Sequence, residues 1–61
     1  MKVYEVTWSC HLKGNKEITH VVSNMVAANK PDEAKTIAEL DIRYVYPNYT
    51  NFRHMRTVEV N

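Results

Sequence analysis

Apolar and polar residues alternate along the first part of the chain. The apolar members of the alternation are Tyr4, Val6, Trp8, Cys10 and Leu12, and the polar residues between them are Glu5, Thr7, Ser9 and His11. Because successive side chains of a β-strand point to opposite faces, a period of two separates these sets. The pattern predicts a strand over residues 4–12 with one buried face and one solvated face.

A turn and a second strand follow. The segment Lys13-Gly14-Asn15-Lys16 contains the only glycine of the chain, and a polar segment with glycine is typical of a tight hairpin connection. Residues 17–28 are rich in β-branched side chains and predict a second strand, antiparallel to the first. Ile18 and Val22 share one parity, whereas Met25 and Ala27 share the other. We interpret this slip as a β-bulge near residues 23–24.

The middle of the chain has the pattern of a helix. Asn29 is a candidate N-cap, Pro31 fits the first turn, and the carboxylates of Asp32 and Glu33 suit the positive end of the helix dipole. The apolar positions at helical spacing are Ala34, Ile37, Ala38, Ile42 and Val45. We expect a helix over residues 31–45, ended by Pro47.

The last segment predicts a third strand and completes the fold. Phe52, Val58 and Val60 share one parity, which indicates a strand over residues 52–60. Three strands and one crossover helix predict a single α+β domain over residues 1–61, with ββαβ order, sheet order 2-1-3 and the helix on one face. We expect Trp8 to pack under that helix. The opposite sheet face and the two strand edges are the predicted binding surfaces.

Size and composition argue against an active site. A chain of 61 residues, 44% hydrophobic and 25% charged, makes one folded domain with no room for a deep pocket. Eight Lys and Arg against seven Asp and Glu give no strong field for nucleic acid. Cys10 and His11 are adjacent on a strand and would point apart, and no phosphate-binding or nucleophile motif occurs. We expect no catalysis, no cofactor and no metal.

The remaining features predict a cytoplasmic protein. A lone cysteine cannot form an internal disulfide, and the chain begins directly with strand alternation. No run of about 18 apolar residues could span a membrane, so no membrane partner is expected. A core this small stabilises the fold only modestly, which leaves a monomer or a homodimer open.

The second half of the chain resembles a known family. The resemblance runs through VAANKPDEAKTIAE at residues 26–39, YVYP at residues 44–47, and the last strand. These segments are similar to the small coliphage early proteins that inhibit host bacterial RNA polymerase, which have an Asp-Glu-Ala helix start and two alternating arginines in the last strand. The matching positions are Asp32, Glu33, Ala34, Ala38, Glu39, Phe52 and Arg56. The family's second arginine position is Val58 here.

The resemblance implies a phage-type protein that binds and inhibits a host protein in the bacterial cytoplasm, with RNA polymerase as the leading target. The predicted partner-binding residues are Arg53, Arg56 and Tyr49, although strand parity places Arg53 and Arg56 on opposite faces. One alternative is an inhibitor of another host or defence enzyme. Another is a small nucleic-acid-binding regulator that stacks bases on Tyr44, Tyr46 and Tyr49. The nucleic-acid alternative is not favoured, because tyrosines at a helix-to-strand corner usually close a core.

Overall fold

The computed structural model describes residues 1–60. Its elements are β1 (Lys2–Leu12), β2 (Asn15–Ala28), α1 (Pro31–Val45) and β3 (Tyr49–Val60). The strands form one sheet of order β2-β1-β3 in which both neighbouring pairs are antiparallel, and α1 packs on one face. The predicted ββαβ fold is therefore confirmed, with each strand beginning two or three residues earlier than the alternation indicated.

One apolar core lies between α1 and the sheet. Its buried side chains are Tyr4, Val6, Trp8, Val26, Ala28, Ala34, Ala38 and Ile42. The helix contributes residues spaced by four, and the two alanines allow its backbone to lie close to the sheet. The predicted helix face was wrong for two residues: Ile37 and Val45 are 38% and 49% exposed. Ile37 is turned about 100° away from the centre of the buried face, and Val45 lies in the last turn.

A buried asparagine links the sheet to the helix. The indole Nε1 of Trp8 donates to Oδ1 of Asn24 at 2.9 Å, and Nδ2 of Asn24 donates to the carbonyl oxygen of Ala38 at 3.1 Å. Asn24 thus satisfies the buried indole N–H while its own amide is satisfied by the helix backbone. Trp8 is central to the core, as expected, but its hydrogen-bond partner is a polar residue that periodicity did not single out.

The predicted bulge near residues 23–24 is wrong. The pairing of β1 with β2 runs without a shift from Lys2 opposite Ala28 to Cys10 opposite His20. The apparent slip arises because Asn24, a polar residue, occupies an inward position, whereas apolar Met25 occupies an outward one.

The turn prediction is confirmed, and the cap prediction needs correction. Gly14 adopts φ +85° in the two-residue turn between β1 and β2, a conformation that favours glycine. The N-cap of α1 is Lys30, which makes no side-chain capping bond. Asn29 instead donates its backbone N–H to a carboxylate oxygen of Glu33 at 3.2 Å.

Within residues 1–60, α1 is too short and too polar to cross a membrane.

Candidate protein-binding surface

The sheet face opposite α1 is uncovered, and we call it the open face. Its residues are Val3, Glu5, Thr7, Ser9 and His11 of β1, Val21, Ser23, Met25 and Ala27 of β2, and Arg53, Arg56, Val58 and Val60 of β3. The polar residues of the central strand are less solvated than the alternation suggested. Thr7 is buried, and Glu5 is half-buried, because side chains of both neighbouring strands flank them.

The two arginines share the open face. Arg56 lies opposite Thr7 and Arg53 lies opposite Ser9, while the pairing shifts between them so that Met55 is an extra residue in β3. Directly paired residues in a sheet point to the same side. The prediction that Arg53 and Arg56 face opposite sides of the sheet is therefore wrong, because a β-bulge shifts the alternation of the bulged strand by one residue.

Exposed apolar side chains share the open face with the two arginines. Val21 and Met25 on β2 are 61% and 56% exposed, and Val58 on β3 is 42% exposed. The one ion pair of residues 1–60 joins Lys2 to Glu59, so both arginines are free to meet external carboxylates. Sequence reasoning missed Val21 and Met25 as surface residues, although the slip in the β2 alternation was their signal.

A cavity of about 560 Å³ adjoins Arg53 at the hairpin end of the open face. Its lining residues are Ser9, His11, Thr19, Asn51, Phe52 and Arg53. Asn51 has φ +57°, in the left-handed region, and lies where the pairing of β3 shifts a second time. The cavity offers hydrogen-bond donors and one cation beside the apolar surface, which suits a polar or acidic side chain of a partner.

Tyr49, the third predicted binding residue, is not brought together with the arginines. It lies opposite Leu12 on the helix side of the sheet, and its ring contacts those of His20 and Tyr46 edge to face, with centroids 5.2 and 5.9 Å apart. The Tyr46 hydroxyl donates to the carbonyl of Ser23 at 3.3 Å. These two tyrosines close the hairpin end of the core, whereas Tyr44 is largely exposed on α1.

The metal-type and nucleophilic residues are dispersed. Within residues 1–60, no three His, Cys, Asp or Glu side chains are grouped closely enough to hold a metal ion. Cys10 is buried, and this burial raises the pKa of its thiol. A thiol that is both inaccessible and protonated is a poor nucleophile and a poor ligand.

We expect Cys10 to resist alkylation in the folded protein. Iodoacetamide at neutral pH should label it slowly in buffer and rapidly in denaturant, because modification requires the thiolate to reach solvent. Mass spectrometry over time measures both rates. Equal rates in buffer and denaturant would contradict the burial of this thiol.

No family model, no curated protein and no solved structure matches the chain.

Proposed function

We propose that this protein is a binding module whose open face engages an acidic surface of another protein. The observation that carries the proposal is the bulge at Met55, which sets Arg53 and Arg56 side by side on the open face. Arginine and methionine are enriched at protein interfaces, and apolar residues such as Val21 and Met25 suit the centre of such a contact.

The spacing of the arginines supports recognition of neighbouring carboxylates. Their partners in β1 are Thr7 and Ser9, two residues apart, so the two side chains leave the sheet about 7 Å from each other along the strand. Each guanidinium can bind a carboxylate through two parallel hydrogen bonds. A short acidic segment of a partner could therefore contact both arginines at once.

The resemblance of the second half to phage inhibitors of RNA polymerase supplies the leading target. In this proposal the protein acts in the bacterial cytoplasm, and binding of the open face to the polymerase blocks transcription. An inhibitor of another host or defence enzyme would use the same surface chemistry on a different acidic partner.

Binding to purified bacterial RNA polymerase tests the proposal. Arg53→Ala and Arg56→Ala should each weaken binding at least about tenfold, roughly 1.4 kcal/mol, because truncating a central interface arginine removes its paired hydrogen bonds. Both arginines are exposed, so the melting temperature should change little. Affinity by biolayer interferometry and transcript yield in vitro measure the two consequences.

Lys35→Ala is the matched control, because it removes one exposed positive charge from α1 without touching the open face. Unchanged affinity in both arginine variants would exclude the open face as the interface. Absence of binding by the unaltered protein would exclude polymerase as the target. Affinity for a single-stranded oligonucleotide that falls steeply with salt would favour the nucleic-acid alternative.

A further inference from the structure

The two outer edges of the sheet differ in their protection against strand pairing. The edge strand β3 has two pairing shifts, a left-handed residue at Asn51, and the exposed cations Arg53 and Arg56. Bulges and charges of this kind keep an edge strand from pairing with another chain. Residues 19–28 of β2 contain no Asp, Glu, Lys, Arg, glycine or proline, and their pairing with β1 is regular from His20 to Ala28. The β2 edge therefore presents backbone groups that can accept another strand.

Exposed apolar residues of α1 lie on the side of the helix nearest this edge. Arg43 lines a cavity together with Tyr49 of β3, so it marks the β3 side of the helix. Successive helix residues are rotated by about 100° around the helix axis. This rotation places Ile37 and Tyr44 on the opposite side of the buried stripe from Arg43, toward β2. Tyr44 is 84% exposed, and Leu40, at the outer surface beside it, is 73% exposed. The β2 edge is thus apolar both in the sheet layer and in the helix layer.

We infer that two copies of this chain associate through β2, antiparallel about a two-fold axis, to form one continuous sheet with the two helices side by side. A register centred on Ser23 places Val21 opposite Met25 of the partner subunit, and the symmetry repeats this contact. Across residues 19–27 this register brings no Asp, Glu, Lys or Arg side chain into contact.

The expected interface is close to the size of a standard specific contact. Nine paired residues extend about 30 Å, and the sheet and helix layers together are roughly 20 Å high, which gives roughly 600 Å² for each copy. Standard interfaces bury about 800 Å² for each partner. We therefore expect a dimer that dissociates on dilution rather than an obligate one.

Sedimentation equilibrium over a range of concentrations tests this inference without any reference to the arginines. The unaltered protein should form a dimer reversibly, and the double variant Val21→Lys, Met25→Lys should weaken association at least about thirtyfold, because it places like charges opposite each other twice. The matched control is Met55→Lys, Val58→Lys, which introduces the same charges at exposed apolar positions of β3. The control should associate like the unaltered protein.

Three outcomes would overturn the inference. They are a monomer at concentrations up to about 1 mM, far above the range of specific association, a dimer that the β2 variant leaves intact, and a dimer that the β3 control abolishes. Thermal melts at low concentration establish that both variants fold. Failure of this test leaves the role of the open face untouched, because the test measures association between copies of this chain and not the binding of a partner to the arginines.

A variant that should associate with itself more tightly gives a second test of the dimer. Asn24 contacts Ala38, so the two-fold axis near Ser23 passes the middle of α1, where Asp41 lies between Ile37 and Tyr44. Asp41 would approach Asp41 of the partner subunit, and Asp41→Asn should tighten association several-fold by removing this repulsion. Weaker association of Asp41→Asn would contradict the proposed arrangement of the helices.

Discussion

Replacing Trp8 by alanine should unfold the domain. Trp8 is 2% exposed on the central strand, where it packs with Ala34 and Ala38 and satisfies the amide oxygen of Asn24. Loss of a buried aromatic side chain costs about 3 to 5 kcal/mol. At roughly 0.05 to 0.15 kcal/mol per residue, a domain of this length has about 3 to 9 kcal/mol of stability to lose. Circular dichroism should show either no cooperative melt or a melting temperature far below that of the unaltered protein.

The conservative variant Trp8→Phe separates packing from hydrogen bonding. It keeps an aromatic ring in the core but removes the indole N–H, which leaves Oδ1 of Asn24 without its donor at a cost of about 1 to 3 kcal/mol. We expect Trp8→Phe to fold with a lowered melting temperature. A Trp8→Ala melt within a few degrees of the unaltered protein would show that this core does not depend on the indole.

Replacing Asn24 by aspartate should destabilise the fold strongly at neutral pH. The two side chains are nearly the same size, but a carboxylate cannot donate to the carbonyl of Ala38 and would bring a charge to a position that is 6% exposed. An uncompensated buried charge costs about 3 to 5 kcal/mol. Urea unfolding at neutral pH should therefore show a midpoint far below that of the unaltered protein.

The loss of stability caused by Asn24→Asp should depend on pH in a defined direction. Burial would raise the pKa of the introduced carboxyl in the folded state above its unfolded value of about 3.9. Below that unfolded value the carboxyl is protonated in both states and can donate to Ala38, so the deficit relative to the unaltered protein should shrink in acid. As the pH rises toward the folded pKa, the deficit should grow.

Asn48→Asp is the matched control, since Asn48 is exposed in the turn before β3. It should unfold like the unaltered protein at both pH values. An Asn24→Asp deficit that is equally large in acid and at neutral pH would argue against the charge as its cause.

Among the residues assigned to the candidate binding surface, the sequence alone identified the two arginines but not the exposed apolar residues. Arg53 and Arg56 were identified by their residue type and, for Arg56, by its position in the resemblance. Their common face was not predictable from parity, since it depends on the extra residue Met55 in the pairing of β3 with β1. Val21 and Met25 were not recognised as surface residues, because one of the two inward positions of β2 between them is the polar residue Asn24.

The order of the elements, the turn at Gly14, the helix over residues 31–45 and the buried side of β1 were all predictable from the amino-acid pattern. Each of these features follows from the spacing of residue types over a few positions of the chain, which the periodicity of the sequence shows directly. The folded structure was needed to show which side of β3 each arginine occupies, that Tyr49 lies on the helix side away from both arginines, and that Asn24 is inward. These features arise from pairing and packing between segments distant along the chain. The alternation of a single strand does not reveal a bulge, because a bulge is defined by the pairing of that strand with its neighbour.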